Sequence, residues 1–384
     1  MKVYAVLLAA CVVGMTMMSV AGNEEPGLLA ESVDYETYLK MYPEAELTFT
    51  ESLSAEEREA VFNKRVAKIL RHNERYAAGE VTWYEGLSHM SAMTAVELKR
   101  MMGVDLSINA HTGKHAKPHT LTATSFDDLP TEVDWRNRLP SITTAVKNQG
   151  SCGSCYSFAS AETLEAHYAL ATGQLQALSE QMILETPNPN GCGGTGGCQG
   201  GTAQLVYDYI VDGFKGGLAS EWTYPYRSGF GQNFPPVSNS STMKTPVAYI
   251  DGYVQLPKND ELALLDAVAN KGPVAVSVAA ISWADYKGGV YDGCNQSDPD
   301  VDHAVVMWGF GTDPKYGPYT LIRNSWTPAW GEDGYIRLAR HSTPSCAWDT
   351  KAQDGFACRG TDKVYVCGTC AVYSDSCYPT PKAP

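Results

Sequence analysis

The chain has 384 residues, 44% of them apolar and 19% charged, which suits two or three packed units and excludes a disordered protein. Its 29 basic and 43 acidic residues leave a formal charge of -14. That balance argues against nucleic acid as a partner, which would need clustered Lys and Arg, and fits a lumenal or extracellular setting.

Lys2, the apolar run Val3 to Val13 and the small residues Ser19-Val20-Ala21-Gly22 predict a signal peptide over residues 1–22. A membrane anchor is the alternative, since the run approaches the ~20 residues a span needs; Thr16, Ser19, Glu24 and Glu25 weigh against it. A secretory route would bring the chain to an oxidising compartment, where paired cysteines are expected.

From about Asp34 to Phe126 the chain is polar, rich in Met and free of cysteine. Ser54-Ala55-Glu56-Glu57 has the form of a capping box, and Val61, Phe62, Val66, Ile69 and Leu70 supply the apolar stripe of an amphipathic helix. In residues 106–126, His111, His115 and His119 recur every fourth position and could bind a metal if helical. Thr112, Gly113 and Pro118 interrupt any helix, so an exposed connector open to processing proteases is the expectation.

In Gln149-Gly150-Ser151-Cys152-Gly153-Ser154-Cys155-Tyr156-Ser157-Phe158 a Gly-rich turn feeds a helix expected from about Ser154 to Thr172. Phe158, Ala161, Leu164 and Tyr168 form its apolar face and Gly173 its stop. Cys155 thus falls at a helix N-terminus, where unpaired amides favour a thiolate and make it a candidate nucleophile. The loop Cys192 to Gly201 carries six glycines but no Gly-Lys-Ser/Thr and no preceding strand. It reads as a place for close backbone approach to a ligand, not as a phosphate cradle. Beyond Tyr226, short Val-, Ile- and Tyr-rich runs (247–253, 273–279, 304–309, 319–323 and 334–338) read as antiparallel strands, with one helix near 260–270. A helical lobe followed by a β lobe predicts an α+β fold with a cleft between them.

The residues Cys152-Gly153-Ser154-Cys155-Tyr156, Asp302-His303-Ala304, Asn324-Ser325-Trp326 and Trp330-Gly331-Glu332-Asp333-Gly334-Tyr335 together resemble the papain family of cysteine proteases, of cathepsin L-like type. The resemblance runs from about residue 50 to Pro379. It implies a two-lobed papain-like fold, a helical left lobe and an antiparallel β right lobe with the active-site cleft between, preceded by a helical inhibitory prosegment. Residues 23–126 would be prosegment and linker, and 127–384 the mature peptidase. The family's prosegment pattern falls on Arg58, Phe62, Ile69 and Asn73, with Ser54 and Arg65 where Glu and Asn are usual. In Gly86 to Ala92, Ser88, Met90 and Ala92 replace the usual Asn, Phe and Asp. Release in acid is expected through carboxylates such as Glu56, Glu57 and Glu59.

By the same resemblance Cys155 is the nucleophile, His303 the general base and acid, Asn324 the orienter of its imidazole, Trp326 a shield over that bond, and Gln149 an oxyanion donor. Elimination supports His303. Only His167 and His341 compete within 127–384, and His167, twelve helical residues from Cys155, would lie roughly 18 Å away. Tyr156 stands where Trp is common and Thr327 where Gly is usual. Gly200 and Gly201 would present backbone to an extended peptide. Thr202, Ala203, Ser277, Val301 and Ala304 would line the pocket for the substrate's second residue, with Asp375 at its floor to pair with Arg while still admitting Leu or Phe. The alternative is an Asp375 turned to solvent. Of eleven cysteines, Cys11 leaves with the signal peptide and Cys155 stays reduced, so 11 − 2 = 9 remain, an odd number. The resemblance pairs Cys152 with Cys198 and Cys294 with Cys370, and leaves Cys192, Cys346, Cys358, Cys367 and Cys377 unassigned. Asn239 and Asn295 begin glycosylation sequons.

The expected activity is that of a cysteine endopeptidase made as a zymogen, with an acyl-enzyme intermediate and with no cofactor and no metal. Its partners are protein and peptide substrates and its own prosegment as intramolecular inhibitor, with no nucleic acid and no membrane span, and the mature form is a monomer. It belongs to the secretory pathway, in a lysosome or acidic vacuole or outside the cell. Ser154 to Ser160 also resembles cathepsin C, so a dipeptidyl exopeptidase is an alternative, as is a catalytically inactive papain-like binding protein.

Overall fold

A computed structural model describes residues 33–104, 113–186, 197–235, 245–352 and 363–382. Residues 1–22, His111, Cys192, Asn239 and Cys358 lie outside these ranges. The N-terminal segment holds helices α1 (Tyr35–Met41), α2 (Ala45–Thr48), α3 (Ala55–Ala77) and α4 (Ala95–Arg100), and strands β1 (Trp83–Glu85) and β2 (Ala116–Pro118). The Ser54 side chain accepts from the Glu57 amide and Glu57 reaches back to the Ser54 amide, so the expected capping box starts α3. Phe62 and Ile69 on its inner face pack with Tyr38, Leu87 and Ala92 into a separate small core. Arg58 is buried against Glu97 at 2.5 Å. Glu97 also accepts the amides of Thr50, Glu51 and Thr94, so this ion pair joins three turns of chain.

After β3 (Val133–Asp134) come α5 (Cys155–Thr172), α6 (Glu180–Leu184), α7 (Ala203–Gly213) and β4 (Gly217–Leu218). Helix α5 ends at Gly173 with φ 74, the left-handed turn that favours glycine. It is more deeply set than a one-sided apolar stripe predicts, since every residue from Cys155 to Ala169 is buried. Its polar residues are matched within: Glu162 with Arg323 at 3.1 Å, Glu165 with Lys147 at 2.5 Å, and His167 Nε2 with the Pro273 carbonyl at 2.8 Å.

The second lobe comprises β5 (Ala248–Gln255), α8 (Glu261–Asn270), β6 (Val274–Val278), β7 (Tyr286–Tyr291), β8 (His303–Asp313), β9 (Gly317–Arg323), β10 (Tyr335–Ala339), β11 (Cys346–Asp349), β12 (Val364–Cys367) and β13 (Ser376–Pro381). The main sheet runs β1-β7-β10-β9-β8-β6-β13-β5-β2. Most neighbours are antiparallel, and β10–β7 and β2–β5 are parallel. Both ends of this order are supplied by the N-terminal segment. From residue 113 onward the connector is largely exposed, as expected, but it is tied down at points and not loose. The amides of Gly113 and His115 donate to Asp208, and the buried His119 meets Asp266 at 3.0 Å. These interactions spread His115 and His119 to separate carboxylates. Among the described residues, no helix is long and apolar enough to cross a membrane.

Candidate active site

Cys155 is the first residue of α5, and its thiol is fully buried. Burial pushes the thiol up to about 12, opposed by the backbone amides of Ala304 and Gly103. His303 opens β8 and pairs in register with Val278 of β6. Its Nε2 meets Asn324 Oδ1 at 2.8 Å, and its ring centroid lies 4.8 Å from that of Trp326. Nδ1 is buried and makes no hydrogen bond among the described residues. Burial pushes the imidazole down to about 4, opposed by the Asn324 contact. Burial thus disfavours both the thiolate and the imidazolium while the cleft is closed. Asn324 follows β9, whose last residue Arg323 binds Glu162 of α5. That clamp fixes the strand end carrying Asn324 against the helix carrying Cys155.

Gln149 is buried and its amide is oriented from both sides. Ser325 Oγ donates to Oε1 at 2.7 Å, while Nε2 donates to the carbonyls of Cys152 at 2.8 Å and Met101 at 2.7 Å. Met101 belongs to the N-terminal segment, which here crosses the cleft. The Gly103 and Val104 amides donate to the Asp302 carbonyl at 2.9 and 3.0 Å, and the Gly201 amide donates to the Gly103 carbonyl at 2.8 Å. The backbones approach so closely that a Cβ on Gly103 would lie 2.1 Å from the Gly153 carbonyl oxygen.

Farther out, β1 adds to β7 through Trp83–Gly289 and Tyr84–Gly288. Arg65 and Lys68 of α3 reach the buried Asp285 at 3.2 and 2.8 Å, and Ser88 Oγ donates to the Ala284 carbonyl. Glu56, Glu57 and Glu59 are exposed and not at this seam, which corrects the expectation that they govern acid release. The acids and histidines buried here include Glu85, Glu97, His72 and His89 of the N-terminal segment and Asp285 of the facing lobe. No local signal marked His89: its type falls at an unspecified position of the motif.

Thr202, Ala203, Ser277, Val301 and Ala304 are all buried, and Ser277 and Ala304 are paired neighbours on β6 and β8. Asp375 is buried as well, so the solvent-facing alternative is overturned. Gln204 Nε2 donates to its Oδ1 at 2.6 Å and Ser277 Oγ to its Oδ2 at 2.8 Å. Gly200 has φ 112, and a Cβ there would lie 2.5 Å from the Gly103 carbonyl oxygen. Thr327 takes φ 71, a left-handed conformation costly for a β-branched residue, which is the physical reason glycine suits that position. Cys152 is bonded to Cys198, Cys294 to Cys370, and Cys346 to Cys367; Cys377 is free and buried. The third bond, unassigned in the sequence, closes the β11–β12 hairpin, where Cys346 and Cys367 are direct cross-strand partners. Asn295 is exposed.

A buried cysteine at a helix start, a histidine–asparagine pair on the facing lobe, and the chain's own N-terminal segment drawn through the cleft between them define a cysteine protease held as its precursor. Residues 129–356 match the papain family cysteine protease profile. The chain is 36% identical over 293 residues to a cathepsin L-like protein of Caenorhabditis elegans, covering 76% of this chain and 82% of that one. It is 34% identical to procathepsin L of Rattus norvegicus, over 77% and 84% of the two chains. Digestive procathepsin L 3 of the Tenebrio molitor larval midgut superposes with a TM-score of 0.68 at 30% identity, covering 89% of this chain and 99% of that one. The chain therefore belongs to the papain family of cysteine proteases. It is a cathepsin L-like cysteine endopeptidase precursor, and the segment across its cleft is the inhibitory prosegment.

Proposed function

We propose that Cys155 attacks the scissile carbonyl as a thiolate once the prosegment leaves and water re-enters the cleft. The helix amides favour the thiolate, and His303 carries the proton as imidazolium. The tetrahedral oxyanion accepts from the Cys155 amide and from Gln149 Nε2, His303 gives its proton to the departing amine, and a water deprotonated by His303 then releases the acyl group from sulfur. Asn324 holds the imidazole through Nε2, leaving Nδ1 for sulfur, and Trp326 keeps water from that bond. The observation that carries this reading is the Met101 carbonyl on Gln149 Nε2: the prosegment supplies an oxygen to the donor assigned to the oxyanion. The test is an epoxide-type thiol inhibitor followed by peptide mapping. Stoichiometric labelling of Cys155 after acid treatment, with little labelling of the neutral precursor, is expected. Labelling of another cysteine with loss of activity overturns the assignment.

The domain reading of residues 1–22 as signal peptide, 23–126 as prosegment and linker and 127–384 as mature peptidase is proposed with it, as are a monomeric mature form and residence in an acidic vacuole or outside the cell. Three disulfides among the described residues support an oxidising route. Gly200, Gly201, Thr202, Ala203, Val301 and Ala304 are proposed to seat the substrate, and Asp375 to select its second residue. Gln204 and Ser277 fix the Asp375 carboxylate in place, which suits bidentate pairing with Arg better than a mobile carboxylate would. Asp375→Ala should lower the Arg/Leu ratio of kcat/KM at that position about tenfold, the loss of one charged hydrogen bond, read over pH 4 to 7. An unchanged ratio over that range removes Asp375 from the pocket.

A further inference from the structure

Tyr226 stands behind the site without lining it. Its hydroxyl donates to the backbone carbonyl of Gln149 at 2.7 Å and lies 2.9 Å from Ser154 Oγ. With the phenolic proton committed to Gln149, the Ser154 hydroxyl donates to Tyr226. One phenol oxygen thus joins the residue that supplies the oxyanion's side-chain donor to the residue immediately before the nucleophile.

The tie has a second effect at the helix. Ser154 is the N-cap of α5, where a serine hydroxyl ordinarily accepts from a first-turn amide. Here it makes no such bond. Turned toward Tyr226, it does not draw the first turn of α5 toward itself, so the Cys155 amide keeps the orientation the oxyanion needs.

Tyr226 is itself fixed. Its ring meets Phe158 of α5 edge-on at 4.9 Å, its amide donates to Glu221 Oε1 at 2.7 Å, and the next two amides, of Arg227 and Ser228, donate to Gln181 Oε1. The same stretch supports the oxyanion turn again at Gly229, whose carbonyl accepts from the Ser151 amide at 2.8 Å. It also approaches Gly150 so closely that a Cβ there would lie 2.1 Å from that oxygen.

We propose that Tyr226 is a positioning residue for oxyanion binding: its hydroxyl fixes the Gln149 backbone and holds the Ser154 hydroxyl off the α5 amides. This rests on the assignment of Cys155 and Gln149 given above. Tyr226→Phe keeps the ring and its packing and removes only the tie. The Ser154 hydroxyl is then free to cap the helix, and Gln149 to drift.

The test uses the full precursor matured in acid, with two probes of the same sulfur. A peptide aldehyde bonds through its carbonyl carbon to Cys155 and places its oxygen in the oxyanion position; iodoacetamide alkylates the sulfur without forming an oxyanion. Tyr226→Phe is expected to lower kcat about tenfold with KM within about twofold, and to weaken the aldehyde about tenfold, while the alkylation rate stays within about twofold. Adding Ser154→Ala should restore part of the aldehyde affinity, because the competing cap is gone. Aldehyde affinity unchanged in Tyr226→Phe overturns the proposal, as does an equal fall in aldehyde binding and alkylation, which marks general loosening. If iodoacetamide fails to modify Cys155 in the unmutated enzyme, the assignment of the nucleophile falls instead.

Discussion

Gly103→Ala should make the unprocessed precursor about 100-fold more reactive toward an epoxide-type inhibitor at neutral pH. The added Cβ would lie 2.1 Å from the backbone oxygen of Gly153, and backbone on both sides leaves no flexible side chain to yield. The prosegment would have to lift out of the cleft. Lifting breaks the Gly103 and Val104 bonds to Asp302, the Gly201 bond to Gly103 and the Gln149 bond to Met101. Four bonds at ~0.5–1.5 kcal/mol each, with partial rescue by water, give about 3 kcal/mol, or roughly 100-fold. The measurement is the labelling rate of Cys155 in precursor shown intact on a gel. Labelling as slow as in the parent precursor would mean that the Met101–Val104 strand is not what closes the cleft. The anchoring on β7 and Asp285 should survive, so the variant stays folded and associated.

The second large effect concerns acid. His89 is fully buried, neither ring nitrogen has a hydrogen-bond partner among the described residues, and burial pushes it down to about 4. A histidine lowered in the folded, docked prosegment favours that state above its free value near 6.5, and that contribution is lost as pH falls through 6.5 toward 4. At pH 4.5 the loss is about 2–3 kcal/mol, or roughly 30- to 150-fold in the population of that state. His72, also lowered by burial, acts in the same direction. Glu85 opposes them. Burial beside Asp285 raises it to about 6 despite Lys68, so it takes up a proton on docking and strengthens the seam as pH falls from 6 toward 4.5. Burial penalises the Glu97 carboxylate, but Arg58 and three amides outweigh that and hold it below its ordinary value, so its support is present above the ordinary glutamate range and fades as pH falls through and below it. His89→Leu, which keeps an apolar fit and cannot ionise, should therefore shift the midpoint of acid maturation downward by about one pH unit. A midpoint that stays put, in a variant whose neutral-pH inhibition is intact, would assign the trigger elsewhere.

Much of the site was legible because its chemistry is tied to local sequence. A helix that begins at Cys155 and ends at a left-handed Gly173 can be read from the turn before it and the glycine after it. The β lobe was legible from short Val- and Ile-rich runs broken by Gly and Asp. Strands β1 and β2 were not, since three residues are too few to show alternation and their stability comes from partners more than 130 residues away in the chain. The docking of His119 on Asp266, the holding of Asp375 by Gln204 and Ser277, and the burial of His89 are likewise products of tertiary contact. A histidine in a loop looks the same in sequence whether water or a closed core surrounds it. Charge is visible in a sequence and exposure is not, so sequence alone points the acid response to Glu56, Glu57 and Glu59, which are exposed in the fold.

Strand β1 leaves the catalytic lobe with an inheritance. While docked, its main chain satisfies the β7 edge: the Val290 amide donates to Thr82, and the Asp285 carbonyl accepts from Gly86. Once the prosegment is cut away, that edge faces water with Gly288 and Gly289 in it, a stretch with little side-chain bulk to turn away another strand. Maturation therefore exchanges an internal partner for a vacancy that any extended chain could fill. The enzyme's colloidal stability becomes a matter of what else is present: excess substrate, a second molecule, or the excised segment itself returning to the place where it was made to fit.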